Sequence, residues 1–359
     1  MNAGDWSRTP PHPNEIEVAM LGPGYGESIL VHTGDGEWLV IDSFLDPDHR
    51  PSAIAYLEGL GCDPAEALKL IVATHWHDDH IRGMTGLVAS GATARFCCAG
   101  ALRRKEFLSV IERHREHSPP LAGLAAREIA SVFAHLGLAR VPPLWATANR
   151  RIHRSSSCDV WSLSPGDEAY TAFLHSLASL PDARTELDLR PLTANQLSVA
   201  LLVRFRGGAS CLLGADLERT GWTAVLGDPA RPRCKSSVFK VPHHGSANAH
   251  VEEVWDELLE PEPIAMLAPW RLGSGALPKS DDVARILAHT PDAYATTGAP
   301  LGATKPKRQV RKQLSSFKVR RAPESGPPGM IRLRRSMAGE SEWRVDLFGS
   351  ACHLKDFAA

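Results

Sequence analysis

The stretch Thr74-His75-Trp76-His77-Asp78-Asp79-His80 places four side chains that can bind a metal within six positions, namely His75, His77, Asp79 and His80. It directly follows the apolar run Leu68–Ala73, which predicts a strand. In layered α/β folds, residues that carry chemistry follow the ends of strands. On a loop, this spacing can direct His75 and His77 to one ion, and Asp79 and His80 to a second. Each pair is an incomplete metal site, so further ligands must come from elsewhere in the chain.

Two later apolar runs also end in residues that can bind metals. Asp216 follows the predicted strand Ser210–Gly214, and the pair His243-His244 follows the predicted strand Ser237–Val241. A carboxylate has two oxygens and can bridge two cations, which suits Asp216 to a shared position. An isolated histidine pair is usually structural or merely exposed. Three separate clusters, each at a strand end, favour one common metal pocket.

Length and composition restrict the class of protein. The chain has 359 residues, of which 43% are apolar, so it can bury a large core, and a disordered or fibrous protein is excluded. No apolar run approaches the roughly 20 residues of a membrane span, and the start lacks a signal-peptide pattern. The seven cysteines are odd in number and form no CxxC pair. We therefore expect a soluble cytoplasmic protein with reduced thiols.

The order of strand-like and helix-like segments predicts a layered α/β domain. Short strands are expected early, among them Glu37–Ile41. Residues from about 101 to 137 have a helical pattern, and a helical insertion is predicted over about 101–150. A strand is also predicted over Leu197–Arg204. We divide the chain into a flexible arm at 1–15, a main domain at 16–300 and a C-terminal extension at 301–359. That extension is predicted to end in two strands.

The motif His75-Trp76-His77-Asp78-Asp79-His80 resembles the HxHxDH signature of the metallo-β-lactamase fold superfamily. Five other segments are similar to motifs of one branch, the hydrolase domain attached to the DNA-uptake channel protein ComEC. They are Gly22–Val31 with Trp38–Asp42, Asn195–Leu201, Leu213–Glu218 and Lys240–Ser246. The resemblance covers roughly residues 16–300, without a counterpart for 101–150 or for the membrane channel. It implies a four-layer αββα sandwich with a helical insertion and a hydrolytic site for two metals.

The resemblance also implies roles for individual residues. His75 and His77 would bind the first ion, Asp79, His80 and His244 the second, and Asp216 would bridge them. His243 would contact a substrate phosphate or protonate the leaving group, although the roles of the adjacent histidines could be exchanged. Asp42 would orient the ligand loop, and Lys240 and Ser246 would touch the scissile phosphate. Asp79 and His243 are thus the predicted catalytic residues.

The first metal site departs from the usual superfamily pattern. Most members supply a further histidine before the strand that is predicted here from Leu197, whereas this chain has Asn195. The ComEC-like branch also tends to have asparagine at this place, so Asn195 is a candidate weak oxygen ligand. Ligation rich in imidazole suits Zn²⁺, and the oxygen donors also permit Mn²⁺. Two divalent ions, most simply zinc, are the predicted cofactors.

Charge is unevenly distributed along the chain. Residues 301–339 contain 11 Lys or Arg residues and one acidic residue, a net charge of +10, although the whole chain has a net charge of −1. A basic segment can hold a polyanion or a protein partner. The predicted function is therefore a metal-dependent phosphodiesterase or nuclease acting on nucleic acid or a nucleotide. Two alternatives remain: a hydrolase of a small ester, thioester, lactone or phosphorylated alcohol, and a non-catalytic metal-binding subunit.

Overall fold

Two large sheets form the framework of the protein. The structure is a computed structural model that describes residues 9–103, 124–178, 194–272, 275–298, 329–338 and 341–357. In chain order, the strands of this described part are β1 Glu15–Gly22, β2 Ser28–Gly34, β3 Glu37–Ile41, β4 Leu68–Ala73, β5 Arg95–Ala99, β6 Leu144–Ala146, β7 Arg150–Arg154, β8 Cys158–Ser162, β9 Leu201–Phe205, β10 Ser210–Leu213, β11 Ser236–Lys240, β12 Leu259–Leu267, β13 Trp270–Leu272, β14 Gly275–Leu277, β15 Ala293–Ala295, β16 Gly329–Ser336, β17 Arg344–Phe348 and β18 Cys352–His353.

These strands assemble into two sheets of eight described strands each and a small hairpin. The first sheet has the order β17-β16-β1-β2-β3-β4-β5-β6, and the second has the order β18-β15-β12-β11-β10-β9-β8-β7. The hairpin pairs β13 with β14. The described helices are α1 Ser52–Gly59, α2 Pro64–Ala67, α3 Asp78–Ile81, α4 Met84–Ser90, α5 Leu124–Ala139, α6 Asp167–Ala178, α7 Arg219–Gly227, α8 Glu252–Leu258 and α9 Ser280–His289.

Alternation along the strands separates the layers. On one face of the first sheet, Val18 and Val31 belong to the same buried cluster as Val203 and Val238 of the second sheet. Because successive side chains of a strand point to opposite faces, Phe239 points away from this interior. It packs edge-on against Trp222 of α7 and Trp255 of α8, at ring-centroid distances of 6.4 and 5.1 Å. Helices therefore cover the outer face of the second sheet.

The outer face of the first sheet is also covered. Trp38 of β3 is buried against Tyr56 of α1, with ring centroids 6.2 Å apart and the planes at 81°. Leu57 of α1 and Leu87 of α4 are fully buried in the main core. Helices thus lie outside both sheets, and the predicted four-layer αββα sandwich is confirmed.

Several predicted elements agree with the structure and others do not. The strands Glu37–Ile41 and Leu68–Ala73 have the predicted bounds. The strand predicted from Leu197 begins only at Leu201, because Ala194–Leu197 form a 3-10 turn. Within the predicted helical insertion at 101–150, α5 is helical but β6 adds a strand to the first sheet. Residues 104–123 of this stretch lie outside the described residues.

The C-terminal strands are integrated into the sandwich. All eight residues of β16 pair antiparallel with β1, and β18 pairs with β15 of the second sheet. Arg332 and Arg334 of β16 are each 4% exposed and form ion pairs with Asp346 and Glu17. Two of the eleven cations of the basic segment are therefore neutralised within the fold. Residues 301–328 of that segment, and residues 1–8 of the predicted arm, lie outside the described residues.

Among the described residues, no helix combines the length and the apolar character that crossing a bilayer requires.

Candidate metal centre

Three strand ends meet at one edge of the sandwich. His75 follows the last residues of β4 in the first sheet, and Asp216 and His244 follow β10 and β11, which run parallel in the second sheet. Val199 precedes β9 of the second sheet, and its amide donates a hydrogen bond over 3.0 Å to the carbonyl oxygen of Thr74, which follows β4 of the first sheet. This bond joins the two sheets at the same edge. Residues from distant parts of the chain therefore converge at this edge.

The Oδ2 atom of Asp216 is the centre of this convergence. His80 Nε2 and His244 Nε2 each lie 3.4 Å from it, and His75 Nε2 lies 3.8 Å from it. Asp79 Oδ2 lies 3.2 Å from His244 Nε2 and 3.8 Å from His80 Nε2. Two ligands at roughly 2.0–2.1 Å from a tetrahedral zinc ion are separated by about 3.3 Å. The spacing of these atoms is thus that of groups that share a metal ion.

Each of these three imidazoles is held by its other nitrogen. His80 Nδ1 lies 2.8 Å from Asp42 Oδ2, and His244 Nδ1 lies 2.9 Å from the carbonyl oxygen of Ala268. His75 Nδ1 lies 3.0 Å from the hydroxyl of Thr74. An imidazole that donates from Nδ1 keeps the lone pair of Nε2 for a metal. All three rings are therefore orientated as ligands.

Asp42 lies behind this cluster and contacts both Thr74 and His80. Its Oδ1 atom accepts a hydrogen bond from Thr74 N and its Oδ2 atom accepts one from Thr74 Oγ1, both over 2.8 Å. Oδ2 also faces His80, as described above. Asp42 has a positive φ of 61°, a conformation that aspartate tolerates better than most residues. The carboxylate thereby fixes both the start of the ligand loop and one ligand ring.

His77 lies at the outer side of the cluster. It is exposed, and its Nδ1 atom is 3.2 Å from His75 Nε2. His77 therefore lies next to His75 Nε2, the atom that faces Asp216. His77 does not belong to the groups whose ligand atoms converge most closely among the described residues, which include His75 with His80 and Asp216, and Asp79 with His80 and His244.

The adjacent histidines His243 and His244 point in different directions. His244 faces the carboxylates, whereas His243 Nε2 lies 3.4 Å from Asn195 Nδ2 and its Nδ1 lies 3.7 Å from Glu218 Oε1. Asn195 Nδ2 donates to Glu218 Oε1 over 3.3 Å, and Asn195 Oδ1 is buried without a hydrogen-bond partner. These three residues form a second polar group beside the metal cluster. Asn195 thus offers a free oxygen, and its predicted role as a weak ligand stays a prediction.

Lys240 is buried behind the metal cluster. Its side chain is fully buried, and Nζ lies 2.7 Å from both Glu27 Oε1 and the carbonyl oxygen of Ala215. Nζ also lies 3.6 Å from Asp216 Oδ1. Because Lys240 alternates with Phe239, it points between the sheets, where it compensates buried carboxylates. Its predicted contact with substrate stays a prediction. Ser246 is half-buried at the loop after His244 and keeps its predicted role as a prediction.

Glu27 is the main component that sequence analysis missed. It is 1% exposed, and its Oε1 and Oε2 atoms lie 3.7 Å from His80 Nδ1 and His244 Nδ1 respectively. The Glu27 amide also donates to the carbonyl oxygen of Asp79 over 3.0 Å. Two signals in the sequence could have revealed the pair of Glu27 and Lys240. Glu27 directly precedes the strand β2, and Lys240 is the last residue of the strand β11.

The electrostatics of the cluster are dominated by buried carboxylates. Burial alone would lower the pKa of His80, but Asp216, Glu27, Asp79 and Asp42 together raise it well above its usual value. Burial likewise opposes the charge on His244, and Asp216 and Asp79 raise its pKa to about 10. The pKa of Asp216 is held well below its usual value, since His244 and His80 outweigh the effect of burial. Protons on the imidazoles thus supply positive charge that the carboxylates require.

Divalent cations fit this donor set. The four carboxylates of Glu27, Asp42, Asp79 and Asp216, with the ammonium of Lys240, give a net charge of −4 + 1 = −3 when the imidazoles are neutral. His80 Nε2 and Asp216 Oδ1 are also buried without hydrogen-bond partners. Buried charge of one sign is costly unless it is paired or coordinates a metal. Imidazole nitrogens and carboxylate oxygens together are typical zinc ligands.

Part of the chain matches a known protein family. Residues 21–134 match the family model of the metallo-beta-lactamase superfamily, a segment that includes His75–His80. No curated protein matches the chain.

Solved structures with low identity also match. A metallo-beta-lactamase with a HARLDQ motif from Cronobacter sakazakii is 16% identical over 62% of this chain and 63% of its own, with a TM-score of 0.33. A putative metallo-beta-lactamase from Thermotoga maritima is 15% identical over 55% and 68% of the two chains, with a TM-score of 0.29. MEM-A1, a subclass B3 metallo-beta-lactamase from a soil metagenome library, is 13% identical over 63% and 69%, with a TM-score of 0.31. This chain spans less than two thirds of the length of the Cronobacter protein.

Proposed function

We propose that this chain, which carries a metallo-beta-lactamase superfamily domain, is a phosphodiesterase or nuclease that acts on nucleic acid or a nucleotide. That superfamily consists mainly of metal-dependent hydrolases. The observation that carries the proposal is the convergence of His75, His80 and His244 on Asp216 Oδ2, with each Nδ1 atom directed to another group.

The residues that would hold two cations follow from this geometry. His75, His77 and Asp216 are assigned to the first ion, and Asp79, His80, His244 and Asp216 to the second. Zinc is the expected metal, and Mn²⁺ is the alternative because of the oxygen donors. When bound, two such cations lower the pKa of a water molecule toward about 7 and neutralise charge on a phosphoryl group.

The chain's own groups supply the remaining steps. His243 stands beside the metal cluster, and we assign it the protonation of the leaving oxygen from Nε2. Burial lowers the pKa of His243 while the carboxylates of Asp216 and Glu218 oppose this shift. Glu218, 3.7 Å from Nδ1, stabilises the protonated ring. Ser246, half-buried on the same loop, is suited to donate a hydrogen bond to a phosphate oxygen.

The choice of a phosphodiester substrate has two supports. The motifs that resemble the ComEC-like branch include the lysine, histidine and serine positions of Lys240–Ser246. The segment 301–339 also contains eleven Lys or Arg residues, of which Arg332 and Arg334 form ion pairs within the described part of the fold. Such a segment attracts a polyanion in a salt-dependent way. All seven cysteines are free, which suits the reducing cytoplasm that we propose as its location.

The test is hydrolysis by purified protein supplied with Zn²⁺ or Mn²⁺. The substrates are single-stranded DNA, duplex DNA, RNA, cyclic nucleotides and bis-p-nitrophenyl phosphate, with ester, thioester and lactone substrates in parallel. We expect phosphodiester cleavage that Asp79→Ala abolishes and that the exposed control Asp281→Ala retains. Circular dichroism checks that both variants are folded.

Other outcomes separate the alternatives. Turnover of only the small esters, thioesters or lactones would support a small-molecule hydrolase. Stoichiometric metal without turnover on any substrate would support a non-catalytic subunit. Cleavage by Asp79→Ala at the wild-type rate would show that the site is assigned wrongly.

A further inference from the structure

We propose that His250, Glu252 and His289 form a separate zinc site, which clamps the loop that carries His244 to helices α8 and α9. The three residues come from three elements. His250 follows the 3-10 turn Ala247–Ala249, Glu252 is the first residue of α8, and His289 is the last residue of α9. The proposal does not depend on the proposed hydrolytic function.

The ligand atoms converge on one carboxylate oxygen. His250 Nε2 lies 3.2 Å and His289 Nε2 lies 3.5 Å from Glu252 Oε2. The three ligand atoms all lie within 4.8 Å of one another. Ligands at roughly 2.0–2.1 Å from tetrahedral zinc are separated by about 3.3 Å, which these distances bracket. Two histidines and one glutamate are also the ligand set of an open zinc site that completes its coordination with water.

The surroundings fix the ligands and leave an entry from solvent. The ring of Trp255 stacks on His289 with centroids 4.4 Å apart and an interplanar angle of 8°. The side chains of His250 and His289 are 19% and 16% exposed, whereas that of Glu252 is 63% exposed. A cation can therefore reach the carboxylate from solvent while the two rings stay in place.

The charges around the cluster are compatible with a cation. His289 is at the C-terminal end of α9, where the helix dipole favours positive charge. Arg285 is the cation that faces His250, and its guanidinium donates to Gly245 O and to Asp282 Oδ1, both over 2.8 Å. Burial and Arg285 lower the pKa of His250, against the opposite effect of Glu252.

A cation at this position would join the loop to both helices. His250 lies six residues after His244, and Arg285 of α9 already bonds the carbonyl oxygen of the intervening Gly245. The site would thus restrain the segment that presents His244 to the metal centre, without sharing a ligand with it.

The experiment counts zinc ions per chain after dialysis of the full protein against a zinc buffer, by inductively coupled plasma mass spectrometry. The variants are His289→Gln, His250→Gln and, as a matched control, His135→Gln on α5. Glutamine keeps a hydrogen-bonding side chain, which preserves a purely hydrogen-bonded arrangement with Glu252 but weakens zinc binding. We expect each of the first two variants to lose one zinc ion per chain and the control to lose none.

Two further measurements keep the proposal testable. Asp79→Ala should lose ions from the metal centre and keep the one that His289→Gln removes, so the two sites can fail independently. Zinc should raise the Tm of Asp79→Ala more than the Tm of the double variant that also carries His289→Gln. Equal zinc contents of wild type, His289→Gln and His250→Gln would overturn the proposal, as would equal zinc-induced Tm shifts of Asp79→Ala with and without His289→Gln.

Discussion

Replacing Lys240 with methionine tests the charge balance behind the metal centre. The ammonium is fully buried and lies 2.7 Å from Glu27 Oε1 and from Ala215 O. Methionine keeps most of the apolar stem but removes the ammonium that pairs with the Glu27 carboxylate, and breaking a buried ion pair in this way costs about 3–5 kcal/mol. At an m value of about 3 kcal/mol/M, this loss lowers the urea midpoint by about 1 M or more.

The assay is urea unfolding of metal-free protein, followed by circular dichroism, for a double-mutant cycle. The variants are Lys240→Met, Glu27→Gln and the double variant, with the exposed Lys235→Met as the control. We expect Lys235→Met to change the free energy of unfolding by only about 0.5 kcal/mol or less. The double variant should be more stable than Lys240→Met, because its glutamine leaves no unpaired charge. A Lys240→Met variant as stable as Lys235→Met, or a double variant less stable than Lys240→Met, would refute the reasoning.

Three further predictions concern the ligands and the thiols. In Asp42→Asn, the asparagine can adopt the same positive φ, but its amide holds the His80 ring less strongly than the carboxylate does. Zinc affinity measured by chelator competition should therefore fall by about 10–100-fold. An unchanged affinity would contradict this role of Asp42. His244→Ala should reduce the measured zinc content of the metal centre. His243→Ala should keep that zinc and lose turnover. The reverse pattern would make His243 the metal ligand and His244 the proton donor. Burial raises the pKa of the Cys97 thiol to about 12 and that of Cys158 to about 11. At pH 8, a thiol reagent should therefore first modify the half-buried cysteines of the folded chain, which are Cys62, Cys234 and Cys352. Mass spectrometry locates the modified residues, and early modification of the buried cysteines would contradict the prediction.

The sequence predicted the parts of the site that follow from local patterns. The apolar strand Leu68–Ala73 and the cluster after it are adjacent in the chain, so their relation is visible without a structure. The same holds for Asp216 and for His243-His244 at the ends of their strands. Their convergence needed only the rule that parallel strands present their ends at one edge.

The remaining features depend on contacts between distant residues. The pairing of Lys240 was not predicted, because its partner Glu27 lies more than 200 positions earlier in the chain. Arg334 was counted in the net charge of the basic segment, although it pairs with Glu17 in the buried part of β1. A pattern of residue types does not record which charged groups are paired across the sandwich. Such pairing decides whether a basic residue is structural or available for a ligand.

The most direct test of the central claim is anomalous X-ray diffraction at the zinc edge from crystals of the zinc-loaded protein. The account predicts two anomalous peaks beside the Asp216 carboxylate, one next to His75 and the other among Asp79, His80 and His244. An anomalous map with no peak among these residues would contradict it.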